Sequence, residues 1–149
     1  MKFASFKAGM VLCGGRRTVT EQEIIEFATR YDPQWFHIDP VRAAGSRWQG
    51  LIASGWMTCA IAMQLAVANV LRDSESIGSP GAEQLKWLNP VRPGDEVELR
   101  MEVLDSRLSR SGKVGVLRWR WVLTTQRNEP VLELTATSLF ELKPVVIPS

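Results

Sequence analysis

The 149-residue chain has a single histidine, His37, five positions after Asp32. A carboxylate and an imidazole this close suit general acid–base work, in which one group takes a proton while the other orients a reactant or returns a proton. The segment that carries them, Tyr31-Asp32-Pro33-Gln34-Trp35-Phe36-His37-Ile38-Asp39-Pro40, has a proline near each end. It is expected to be too broken for the interior of a helix or strand. Its plainer reading is structural, with His37 a polar loop residue satisfied by a neighbour such as Asp39. The catalytic reading requires a second constellation to complete a site.

Gly50-Leu51-Ile52-Ala53-Ser54-Gly55 supplies one. It leads into a long uncharged apolar stretch that reads as a buried helix, which places free N–H groups and the positive end of a helix dipole around Gly55. A glycine there lets a substrate oxygen come close to the backbone, and the N–H groups would hold negative charge developing on a carbonyl. The bland account is that Ser54 caps the helix and Gly55 relieves crowding. One terminus can serve both purposes.

The elements that position these groups follow from local signals. Thr20 and Glu23 form a capping-box pattern, with Val19 and Ile24 as its hydrophobic staple, so a helix is expected from Glu21 to Arg30. It stops before Asp32-Pro33 because the residue preceding a proline is pushed out of the helical region. Asp39-Pro40 opens a short helix that Gly45 ends. From Ser54 to Leu71 apolar residues fall on nearly every side, which predicts a helix enclosed by other elements.

Beyond Arg72 the period changes to two. Val97, Leu99, Met101 and Val103 alternate with Glu96, Glu98, Arg100 and Glu102; Leu117, Trp119, Trp121 and Leu123 do the same, as do Leu132, Leu134, Ala136, Phe140 and Leu142. Turn signals separate them at 92–95, 110–113 and 126–130. Phe3, Phe6 and Val11 suggest a strand or two before Thr20. Strands with one apolar face must cover something, so the expected class is α+β: a single domain over residues 1–149, with an antiparallel sheet wrapped around a long central helix.

Eighteen Lys and Arg against sixteen Asp and Glu leave no dense basic stripe, so nucleic acid is not an expected partner. Cys13 and Cys59 match no metal-ligand spacing, and no metal is expected. A reducing, cytoplasmic setting is expected, since Lys7 interrupts any N-terminal signal core. The uncharged stretch from Trp48 to Leu71 is long enough to raise the question of a membrane span, but its Gln64, Asn69 and other polar residues favour a helix buried in protein. Of the six tryptophans, Trp119 and Trp121 read as core, whereas Trp35, Trp48 and Trp56 could pack or line an apolar pocket. Trp35, Trp56, Ser54 and Gln34 form the candidate substrate-binding set, beside Asp32, His37 and Gly55 as the candidate catalytic residues.

At this point the motifs resemble a known family. Tyr31 to Pro40 is similar to the active-site loop of MaoC-like (R)-specific enoyl-CoA hydratases, in which an Asp-x-Asn-Pro-x-His segment supplies a dyad. The Asp-to-His spacing agrees, as does the distance onward to a glycine opening the central helix. Leu88-Asn89-Pro90-Val91-Arg92-Pro93-Gly94-Asp95 resembles the family's Pro-Val-x-x-Gly-Asp turn. The chain departs from the pattern at Gln34 and Trp35, and its proline stands at Pro33.

The resemblance implies a hot-dog fold and hydration or dehydration of an acyl-CoA or acyl-carrier thioester without a cofactor. Asp32 and His37 would orient a water molecule, Asp32 would act as the general base, and the Gly55 N–H would polarise the thioester carbonyl. It also implies a homodimer built edge to edge, in keeping with the open edges such a sheet leaves. The same residues leave two rivals open: a hot-dog thioesterase, and a non-catalytic acyl-thioester-binding subunit.

Overall fold

In the computed structural model, which describes residues 1–143, five antiparallel strands form one sheet around a central helix. The strands are β1 (Val11–Thr18), β2 (Ser76–Trp87), β3 (Glu96–Leu108), β4 (Val114–Thr125) and β5 (Pro130–Glu141), in the order β1-β3-β4-β5-β2. The helices are α1 (Glu21–Tyr31), α2 (Trp35–Ile38), α3 (Pro40–Ala44) and α4 (Gly55–Ala66). This is the α+β arrangement expected from the sequence.

The alternating residues of β3 and β4 turn inward as their period requires: Val97, Leu99, Met101, Leu117, Trp119 and Leu123 are buried against α4 or its surroundings. Pairing β3 with β4 places Met101 opposite Trp121 and Val103 opposite Trp119. Outward charges meet across β4 and β5, with Arg120 donating to Glu133 at 2.8 Å. β3 runs past the expected end at Val103, because a bulge between Val103 and Asp105 lets pairing resume to Leu108.

α1 carries the capping box read from Thr20 and Glu23, with both reciprocal hydrogen bonds present. The single strand β1 accounts for the N-terminal apolar residues beyond Met10, while Phe3 sits in a one-turn 3-10 helix. Three expectations are corrected. The segment from Trp35 to Ile38 is one turn of helix, since Pro33 is fixed outside it and nothing within it lacks a donor. The stretch ending at Leu71 is not one uniform helix: α4 stops at Ala66, and Val67–Leu71 forms a π turn, with Asn69 Nδ2 bound to the Gly14 and Leu65 carbonyls. α4 is also not enclosed all round: Met57, Ile61, Ala62 and Leu65 are buried, whereas Trp56 and Met63 are exposed. No helix among the described residues is long and apolar enough to cross a membrane.

The turn before β3 is pinned by Asp95, which is buried. Its carboxylate accepts from the Arg92 N–H, Gln126 Nε2 and Arg127 Nη1 at 2.9, 3.1 and 3.1 Å. Burial pushes the Asp95 pKa up, but these donors outweigh it and hold the carboxyl below its ordinary value. The anchored turn then presents the Val91 carbonyl to the Ala53 N–H at 2.8 Å. That contact fixes the approach to α4.

Candidate active site

α1 delivers Asp32 at its C-terminus, where the Asp32 N–H closes the helix on the Ala28 carbonyl at 2.8 Å. The Gln34 N–H then bonds the Asp32 carbonyl, and α2 turns His37 inward until it is only 4% exposed. His37 Nε2 lies 3.2 Å from Asp32 Oδ2. The other ring nitrogen, Nδ1, lies 2.6 Å from the Ile52 carbonyl oxygen. Asp39 is not the partner: it caps α3 by accepting from the Arg42 N–H at 3.0 Å.

A carbonyl oxygen only accepts, so Nδ1 carries the proton in that bond. A neutral ring therefore turns its Nε2 lone pair toward Asp32. The Asp32–His37 contact becomes a hydrogen bond only when the pair holds one further proton, and such a pair can take up and return a proton as a unit. The Ile52 carbonyl that sets this tautomer is itself held, since the Ile52 N–H bonds Phe36 and the Ala53 N–H bonds Val91. Upstream, Gly50 has φ +143°, a conformation that favours glycine, and Arg92 Nη2 donates to the Trp48 carbonyl at 2.6 Å.

Asp32 accepts from Gln34 Nε2 on Oδ1 at 2.7 Å and from Ser54 Oγ on Oδ2 at 2.8 Å. Burial pushes its pKa up, but the bonds from Gln34 and Ser54 and the His37 ring more than offset it, so the carboxyl stays below its ordinary range. Ser54 occupies the N-cap of α4 yet makes no capping bond. The first-turn N–H groups of α4, Gly55 among them, therefore lack a side-chain acceptor.

A cavity of about 420 Å³ opens here, lined in part by Asp32, Gln34, His37, Gly55, Trp56 and Trp87. The structure thus brings five of the seven candidate residues to one cavity. Ser54 stands behind it, fully buried. Trp35 does not line it; that ring packs edge-on against Phe36 and under the Arg42 guanidinium, 4.5 Å from the ring centroid. Trp87, which carried no signal in the sequence, lies over Gly55: a Cβ on Gly55 would come within 2.5 Å of its ring, and its Nε1 donates to the Gly55 carbonyl at 2.8 Å. Among the described residues there is no cluster of three or more His, Cys, Asp or Glu suited to a metal ion.

The family profile described as "MaoC like domain" matches residues 8–120. The chain belongs to the MaoC-like domain family. An uncharacterized protein of Bacillus subtilis (strain 168), YdeM, is 32% identical over 133 residues, covering 89% of this chain and 94% of that protein. Among solved structures, the MaoC-like dehydratase from Rhodospirillum rubrum is 35% identical with a TM-score of 0.87, covering 95% of this chain and 97% of that one. The Archaeoglobus monoamine oxidase regulatory protein is 28% identical with a TM-score of 0.85, at 97% and 96% coverage. More distant structures share the fold alone. They include the (R)-hydratase PhaJ1 from Pseudomonas aeruginosa, at 20% identity and TM-score 0.77, and a double hot-dog protein of Mycobacterium tuberculosis, at 17% and 0.73. This MaoC-like chain therefore has the hot-dog fold.

Proposed function

We propose that this MaoC-like domain hydrates or dehydrates an acyl thioester, in the manner of an (R)-specific enoyl-CoA hydratase. The observation that carries the reading is the meeting of Asp32 and His37, 3.2 Å apart, with the uncapped terminus of α4 at one cavity. In the hydration direction, Asp32 takes a proton from a water molecule held between it and His37, and the oxygen adds to Cβ of the conjugated double bond. The π electrons move toward the thioester carbonyl, whose growing negative charge is held by the Gly55 N–H. The acid–base pair then returns a proton to Cα, so one C–O and one C–H bond replace the π bond. The residues require no redox or metal chemistry for these steps.

The thioester would be carried by coenzyme A or an acyl carrier protein. The test is incubation of the purified protein with short, medium and branched enoyl-CoA thioesters and their saturated counterparts, with products read by mass spectrometry. Gain of one water on unsaturated substrates alone is the expected result. Release of free coenzyme A from both sets would make the protein a thioesterase, and unchanged substrates would leave it a binding subunit.

A second copy of the chain would complete the assembly. β2 is an edge strand exposed along nearly its whole length, and exposed Trp56, Met63 and Val67 lie on the neighbouring helical segment. A long unpaired edge beside apolar surface is a site for further pairing. Sedimentation equilibrium should return twice the chain mass, and a monomer at micromolar concentration would count against the dimer.

A further inference from the structure

Ser54 departs from both roles its position suggests. It is fully buried and does not line the cavity, so a substrate does not reach it. It stands at the N-cap of α4, where serine ordinarily accepts a backbone N–H, yet its side chain makes no such bond. Its hydroxyl instead donates to Asp32 Oδ2 at 2.8 Å, the same oxygen that His37 Nε2 approaches to 3.2 Å. Its own carbonyl accepts from the Thr58 N–H at 3.1 Å, which ties the residue to the first turn of α4. The other donor to Asp32, Gln34, sits on the exposed side and lines the cavity.

We infer that Ser54 is the positioning residue of the site: its hydroxyl holds the Asp32 carboxylate with Oδ2 toward His37, and by doing so leaves the helix terminus uncapped. One side chain thereby couples the two halves of the site. A bond from a buried hydroxyl to a partly buried carboxylate is directional and less screened than one from an exposed side chain, so it fixes a rotamer that an exposed amide cannot fix alone. The inference deepens the hydratase reading and rests on it for its kinetic part. His37, from α2, is the one titratable group acting on Asp32; Gln34 and Ser54 are neutral donors.

The test compares Ser54→Ala, which removes the hydroxyl, with Ser54→Cys, which keeps a side chain of similar size but donates weakly. The Asp32 carboxyl is titrated by carbon-13 NMR in the unliganded protein, its signal assigned by its absence in Asp32→Asn. The pH dependence of kcat/KM is measured on the hydrated thioester. In both variants the Asp32 midpoint should move up toward an ordinary carboxylate, and the acid limb of the rate profile should move with it. kcat should fall about 10- to 100-fold, the size of one hydrogen bond to a charged group, with KM within about twofold. A fall in kcat with the titration unmoved in both variants would assign Ser54 to packing and overturn the inference. If the native protein hydrates nothing while the midpoint still moves, the hydratase reading fails and the positioning role stands.

Discussion

Asp32→Asn should lower turnover about 10²- to 10⁴-fold, the usual contribution of a general base, while the protein remains folded. The amide preserves the shape of the carboxylate and can still accept from Ser54 Oγ, but it cannot take a proton from water. Binding of a saturated acyl-CoA should change little, so the loss should appear in kcat. The native enzyme's pH profile provides the companion measurement. The Asp32 pKa is depressed because the hydrogen bonds from Gln34 and Ser54, together with the neighbouring His37 ring, outweigh its burial. In the proposed mechanism the ionised form is the base, so activity should persist as pH falls past the ordinary carboxylate range near 4 and fail only below it. A variant keeping more than a tenth of native turnover would remove Asp32 from the chemistry.

Gly55→Ala should be the second most damaging change, at about 10²-fold in kcat, the scale expected for a displacement of about 1 Å among positioned groups. The added Cβ would lie 2.5 Å from Cε2 of Trp87, and the three nearest atoms it meets all belong to that rigid ring. Either the ring leaves, breaking its bond to the Gly55 carbonyl, or the first turn of α4 shifts and carries the Gly55 N–H out of place. The double variant Gly55→Ala/Trp87→Ala should recover part of the lost turnover, because alanine at 55 retains the N–H and the clash is gone, although the bond from Trp87 to the residue 55 carbonyl goes with it. Native kcat in Gly55→Ala alone would show that the N–H of residue 55 is not a positioned donor.

The proposed site was legible in the sequence where its signals are local. Thr20 and Glu23 mark the start of α1, and Pro33 helps end it, because capping and proline geometry act within a few residues. β3, β4 and β5 announce themselves by period two because one face is buried and the other is not. β2 was missed for the converse reason: an edge strand exposed on both faces, interrupted by Gly78, Pro80 and Gly81, has no alternation to read. Trp87 was missed with it. An apolar circumference also cannot say which side of α4 the sheet will cover, and Trp56 and Met63 proved to be outside.

By itself, then, the sequence determined the residue types of the proposed site, their order and the α+β class, since patterning and turn chemistry are properties of neighbouring residues. Only the tertiary structure decided that the Ile52 carbonyl sets the His37 tautomer, that Trp35 turns away to Arg42, and that the Ser54 hydroxyl goes to Asp32 in place of the helix end. A hydroxyl has several acceptors within reach of its own backbone, and which one it takes depends on what another element brings within about 3 Å. Here that element is the C-terminus of α1, 22 residues away in the chain.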